Sequence, residues 1–314
     1  MVRGKAVGLS RTERRNIVVG LLFASPFILG FLAFTLYPVV MSFYYSFNHY
    51  GGIDPPRWIG LNNYRYLFQQ DDQARQALGN TLYLVILDVP AELITAFLMA
   101  VLLNAKIRGQ TIYRSFYILP AFMPLVPVAV LWMWMFDPNF GVVDGVLGFL
   151  HLPQPLWLAD PSWSKPTLIL LNMWTVGTTT IIYLAALQGV PETLYEAAAL
   201  DGAGRVRRLW HVTVPMISAA TFFNLITTMI AVFQVFTEAF LLGGSSGNQS
   251  NTSIGNPQGS LLFFVLYLWN TAFDYLRFGY ASALAWLLFM IILGCTAVLL
   301  YGSRRWVYYE SEAA

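Results

Sequence analysis

Six runs of mostly apolar residues, roughly 17–45, 79–103, 112–136, 166–188, 217–242 and 281–303, dominate this chain of 314 residues. A helix rises about 1.5 Å per residue, so about 20 residues cross the hydrocarbon core of a bilayer. Within lipid every backbone N–H and C=O must be paired internally, which leaves helices or a closed barrel. Barrel strands alternate apolar and polar residues over about 10 positions. Ile181 to Leu187 and Leu293 to Leu300 are near-continuously apolar instead. The expected fold is therefore all-α and polytopic, with six transmembrane helices in one domain over residues 1–314. Composition agrees, because only 11% of residues are charged and 57% are hydrophobic. That is too little charge to coat a soluble globule and the opposite of a disordered chain.

The first run follows Arg14 and Arg15 and could pass for a signal peptide. It is too long for that, and Pro26 follows Ala24 and Ser25 where a cleavage site would close it. It reads as an uncleaved span bent by Pro26 and Pro38. Orientation follows from the basic residues. Of 18, 13 lie in the N-terminus, the 104–114 turn, the 190–216 loop and the C-terminus, including Arg3, Lys5 and Lys106. The other 5 are Arg57, Arg65, Arg75, Lys165 and Arg277. Both termini are expected in the cytoplasm, as an even number of spans also requires. The outer loops 46–78, 137–165 and 243–280 are too short for a domain, and Gly243 to Gly259 reads as a flexible connection. Tyr44, Tyr45, Trp132, Trp134, Trp306 and Tyr308 are expected as interfacial anchors.

The inner loops are short except for 190–216. Pro191 suits a first helical position and Glu192 the first turn. Leu194, Ala197, Ala198 and Ala199 give a low-bulk apolar stripe, and Gly202 and Gly204 stop the helix. A short amphipathic helix is expected within 191–204. Its small residues suit insertion into the groove of a partner, with Glu196 and Asp201 accepting hydrogen bonds at the rim. The alternative is a helix lying on lipid. Against it, the run lacks Trp and Phe, and its polar face has no Lys or Arg before Arg205.

Glu196-Ala197-Ala198, then Asp201-Gly202-Ala203 and Val212-Thr213-Val214-Pro215, resemble the EAA signature of binding-protein-dependent ABC importer permeases. Further stretches resemble the carbohydrate-uptake branch of that family, which includes maltose-type and glycerol-3-phosphate-type inner-membrane permeases. They are Trp58 to Tyr64, Leu103 to Gly109, Pro138 to Gly141, Phe233 to Phe236 and Gly279 to Ala283. The resemblance runs from about residue 20 to 303 and implies a type I ABC importer permease fold. It implies a non-enzymatic subunit translocating a sugar or sugar derivative in a bacterial or archaeal cytoplasmic membrane. The partners it implies are a second homologous permease, two ATP-binding subunits that hold ATP and Mg, and an external solute-binding protein. The 191–204 helix would then be the coupling helix, with Glu196, Ala197, Ala198, Asp201 and Gly202 meeting an ATPase. Consistently, the lysines are Lys5, Lys106 and Lys165 alone, and none sits in a phosphate-binding Gly-rich loop. The net charge of +2 gives no reason to expect a nucleic acid partner.

Acids inside spans cost about 2.5–3.5 kcal/mol each on insertion scales, so Asp88, Glu92 and Glu238 need reasons. Asp88 and Glu92 are spaced i, i+4 around Pro90. They either line an aqueous path or, as the preferred reading, are protonated and bonded to a neighbouring helix near the carbonyl freed by the proline. Gln234 and Glu238 are one helical turn apart, so both can face one cavity. The resemblance places sugar contacts there; bonding between helices is the alternative. Phe233 points about 100° from Gln234, so only one of the two faces substrate; Phe233 is nonetheless a candidate contact, because an aromatic face stacks on the C–H surface of a sugar. Asn172, Thr175, Thr178, Thr179 and Thr180 form a polar stretch around Gly177, with Asn172 and Thr179 as candidate contacts. There the chain is one residue shorter than the family pattern between Trp174 and Gly177, and the threonines have an alternative role in backbone bonding. Cys295, His49, His151 and His211 show no metal-ligand or catalytic spacing.

Two other classes compete. A proton-coupled secondary transporter would use Asp88, Glu92 or Glu238 as its proton site, but the sequence lacks the internal repeats many such folds carry. A structural scaffold would accumulate no substrate.

Overall fold

The computed structural model describes residues 11–105, 108–244 and 255–308. Arg3, Lys5 and Lys106, used above for orientation, and the middle of the Gly243 to Gly259 loop lie outside these. Among the described residues the fold is helical apart from a two-residue antiparallel pairing, β1 (Asn48–His49) with β2 (Arg57–Trp58). Three helices are long enough to cross a membrane and three bent helix pairs complete six spans.

The first span comprises α1 (Arg11–Phe31), a π-turn at Leu32–Leu36 and α2 (Tyr37–Ser46). Pro38 lacks the N–H that a regular helix would need; just upstream, the Tyr37 N–H reaches back five residues to Leu32 O. The span packs on the sixth through α2, where the Trp286 indole N–H donates to Ser42 Oγ at 3.1 Å. Its α1 half exposes Phe23 and Phe27. After α3 (Asn62–Gln69), the second span is α4 (Asp72–Leu103), 32 residues long. It begins two turns before the apolar run because Asp71 caps it, accepting the Ala74 N–H at 2.9 Å.

The third, fourth and fifth spans correct the expectation of single helices. The third is α5 (Gln110–Ile118), a 3-10 turn at Leu119–Phe122 and α6 (Leu125–Met135), bent by 99°. Pro124 explains the break: it pushes Met123 into extended backbone. After α7 (Val142–Phe149), the fourth span is α8 (Pro161–Trp174) and α9 (Gly177–Gly189), bent by 47°. The bend falls within the polar stretch around Gly177. A Cβ on Gly177 would sit 2.7 Å from the Ala121 methyl, so only glycine lets α9 approach the 3-10 turn this closely.

The connecting helix α10 (Glu192–Leu200) leads to the fifth span. This begins with α11 (Arg205–Arg208), a π-turn at Leu209–Thr213 and α12 (Val214–Met216), then turns by 68° into α13 (Ser218–Phe233). Three non-helical residues separate α13 from α14 (Thr237–Gly244). A helix absent from the sequence reading, α15 (Phe264–Phe273), lies in the connection before the sixth span, α16 (Phe278–Ser303).

The main core joins α4, α8, α13, α15 and α16 through Leu84, Leu168, Leu171, Phe233, Phe264 and Leu284, all fully or almost fully buried. Near it, the Asp71 carboxylate accepts hydrogen bonds from Tyr267 OH at 2.6 Å and from Tyr280 OH. A smaller cluster at the other end of the bundle contains Ala96, Ala100, Tyr183, Leu187 and Ile217. Trp132 is 8% exposed and stacks on Phe136, so it is a core residue rather than an interfacial anchor. Trp134, Trp306 and Tyr308 are exposed, as anchors need to be.

Candidate functional site

Three helix breaks converge on one cavity of about 300 Å³. Leu125 opens α6, Asn172 and Thr175 close α8, and residues 234–238 bridge α13 and α14; all line it. Glu92 reaches the same wall from the unbroken α4. Interrupted backbone inside a bilayer is tolerated where it is buried in protein or faces water, because the freed N–H and C=O groups need partners. The cavity therefore supplies a reason for the breaks, and the breaks supply it with polar backbone.

Of the residues expected at the site, the structure brings Gln234, Glu238 and Asn172 together on this wall. It does so by a route the sequence did not show. Gln234 caps the end of α13, so it and Glu238 are not one turn apart on a continuous helix. Residues 234–236 interrupt the helix between them, and both side chains line the same space. No proline or glycine marks this break, so periodicity ran straight through it. Phe233 is 1% exposed and packs in the core instead of the cavity. The aromatic ring on the wall is Phe236, stacked on Phe240 and held against Trp269 of α15. Thr179 is also away from the cavity; its carbonyl accepts from Asn224 Nδ2 at 3.4 Å. Thr175 and Thr237 line the cavity and were not singled out as contacts.

Asp88 and Glu92 separate. Asp88 is fully buried, and its Oδ2 accepts from Asn172 Nδ2 at 2.6 Å. It thus bonds to a neighbouring helix, through an amide on α8. Glu92, set aside with it on the sequence, lines the cavity. The intramembrane carboxylate was itself the signal that could have found it.

At the other end of the bundle, α10 has no buried residue. Pro191 stands just outside its first turn as the N-cap and not as the first helical residue. The helix ends in a Schellman motif: Gly202 N–H donates to Ala199 O and Ala203 N–H to Ala198 O. Gly202 takes the left-handed φ of +76° that this motif requires. Glu196, Ala197, Asp201 and Gly202 are exposed, Ala198 is half-buried, and Leu200 is 90% exposed beside them. A hydrogen bond of 2.9 Å between Tyr195 OH and Thr213 Oγ1 ties this helix to the start of the fifth span.

Residues 92–305 match the profile of the family described as binding-protein-dependent transport system inner membrane component. The chain belongs to this family. The matched segment contains the cavity, α10 and the last four spans. The permease is 38% identical over 309 residues to the probable ABC transporter permease protein YesP of Bacillus subtilis (strain 168), covering 98% of this chain and 97% of that one. It is 30% identical over 300 residues to the lactose transport system permease protein LacF of Rhizobium radiobacter, covering 94% and 97%. Among solved structures, it superposes with a TM-score of 0.79 at 26% identity on a chain of a bacterial ABC transporter involved in the import of the acidic polysaccharide alginate. That match covers 94% of the permease and 99% of the other chain. The six-span type I importer fold is thus shared, and the permease is a non-catalytic, multi-pass membrane component of an ABC-type transporter.

Proposed function

We propose that this permease forms one half of a pore for a sugar or sugar derivative, released into it by an external binding protein. The observation that carries this reading is the cavity at the converging breaks. It combines an amide pair (Asn172, Gln234), hydroxyls (Thr175, Thr237), carboxyl groups (Glu92, Glu238) and one aromatic ring, Phe236. Sugar hydroxyls both donate and accept, so they pair with amides and carboxyls, while C–H faces of the ring stack on an aromatic. Gln234, Glu238 and Asn172 are the contacts assigned here, with Phe236 in the stacking role first given to Phe233. The relatives named for lactose and alginate import support a carbohydrate.

In this reading both termini and α10 face the cytoplasm, and the whole chain acts as one permease domain. A second homologous permease completes the pore, and two ATP-binding subunits hold ATP and Mg. The exposed face of α10, with Glu196, Ala197, Ala198, Asp201 and Gly202, is the coupling helix seated in one ATPase. Nucleotide-driven closure of the ATPases would push α10, and the tie from Tyr195 to Thr213 would pass that push to the fifth span.

The test is reconstitution of the complete complex in vesicles with its binding protein. Uptake of the sugar that the binding protein selects should require ATP, and alanine at both Gln234 and Glu238 should lower it without loss of assembly. Uptake by this chain alone, driven by a pH gradient without ATP, would overturn the reading.

A further inference from the structure

A second pocket, of about 290 Å³, lies between α10 and the start of the fifth span, lined by Tyr195, Arg205, Arg208, Leu209 and Thr213. Two guanidinium groups and two hydroxyls therefore face one space, and no carboxylate is among them. Among the described residues neither arginine forms an ion pair. Arg208 Nε is buried without a hydrogen-bond partner. A buried charged donor left unpaired is costly enough to ask what satisfies it. The guanidinium fork matches the oxygens of a phosphate, and hydroxyl groups can donate to the same oxygens.

We propose that this pocket binds a phosphate group, and that its source is the headgroup of an anionic phospholipid. The position favours a lipid over a soluble anion. The pocket sits at the α11 end of the fifth span, which the proposed orientation puts at the membrane surface, and Val206 and Trp210, one turn apart, are 71% and 62% exposed beside it. An exposed Trp at a span end belongs at headgroup depth, and Leu209 gives the pocket an apolar side for a lipid's glycerol region. Basic pockets on the cytoplasmic side are where anionic headgroups are available; this clause rests on the orientation proposed above. Tyr195 and Thr213 are both pocket residues and the two ends of the tie between α10 and the fifth span. A bound phosphate would brace that tie, so transport should depend on anionic lipid.

The experiment uses the assembled importer, with phosphatidylglycerol and phosphatidylcholine as probes. Native mass spectrometry of the wild-type complex should show preferential retention of phosphatidylglycerol. Arg205→Gln with Arg208→Gln should reduce that retention by roughly tenfold or more, and Arg205→Lys with Arg208→Lys should restore part of it. In vesicles, the wild type should import faster with phosphatidylglycerol than with phosphatidylcholine alone, and the glutamine pair should not. Inorganic phosphate that displaces the lipid from the detergent-solubilised complex would confirm the shared chemistry. Phosphate restoring uptake in phosphatidylcholine would support the phosphate site and name a soluble source. No preferential retention by the wild type, which needs no variant to fold, would overturn the proposal. So would glutamine variants that keep the lipid but lose the ATPase subunits, since the pocket would then hold a protein carboxylate. Retention is read without transport, so its failure is distinct from failure of the sugar reading.

Discussion

Spans two and six run as unbroken helices of 32 and 26 residues and span one continues through its π-turn without a sharp bend, whereas spans three, four and five are bent by 99°, 47° and 68°. The continuous helices keep their backbone bonds within themselves, so their side chains decide what they touch. The first leaves most of its surface outward, while the second has buried faces among its neighbours. The bent helices give up backbone bonds at membrane depth, and that loss is recovered only where packing or an aqueous cavity supplies partners. Polar side chains follow the same division. Asn172, Thr175, Gln234 and Glu238 stand at the interruptions, and among the cavity's polar side chains Glu92 alone comes from an unbroken span. The polar cavity and helix breakage thus occupy the same half of the molecule.

The comparison can be broken most severely at the element beyond it. Glu196→Lys on the exposed face of α10 should cut ATP-driven uptake while leaving ATP hydrolysis running. A loss within the range of about 5- to 150-fold that coupling energies span is expected. Wild-type uptake in that variant would remove α10 as the coupling element. Next, Gln234→Ala with Glu238→Ala should reduce uptake by about tenfold, as loss of two substrate hydrogen bonds implies. Assembly, followed by size-exclusion chromatography, should be unchanged.

A glycine pair sharpens the contrast on stability. Gly177→Ala puts a methyl against Ala121 and the Ile118 carbonyl at the bend, and should destabilise the purified complex by about 1–3 kcal/mol. Gly294→Ala in the sixth span meets nothing within 4 Å and should be neutral or stabilising by up to about 1 kcal/mol. Equal thermal unfolding of the two variants would show that the bend is not closely packed. The smallest effect expected is a difference within one bond. Asn172→Leu removes the donor to Asp88 and should cost about 1–3 kcal/mol, whereas Asp88→Asn keeps a partner for Asn172 and should cost less.

This division also decides what the sequence could show. Runs of apolar residues determine how many times a chain crosses, so all six spans were legible. The helix from Glu192 to Leu200 was too, because proline and glycine bound it. Breaks are harder to read. Pro124 signals one directly. At Gln234 to Phe236 nothing in the local residue types opposes a helix; Phe236 packs against Trp269 of α15, a helix itself too short to be anticipated. Helical spacing therefore put Gln234 and Glu238 on one cavity by an incorrect geometry, and it assigned the aromatic role to Phe233 where the interrupted helix presents Phe236. Trp132 was misplaced for a related reason: composition shows that an aromatic lies near a span end but not whether a neighbouring ring covers it.

Asp71 carries a further consequence. One carboxylate caps α4, accepts from Tyr267 of α15 and from Tyr280 of α16, and is itself 4% exposed. Separating those helices would strip partners from a buried acid, at about 1.5–3 kcal/mol per hydrogen bond to a charged group. The second span, α15 and the start of the sixth span are thereby pinned together at one carboxylate.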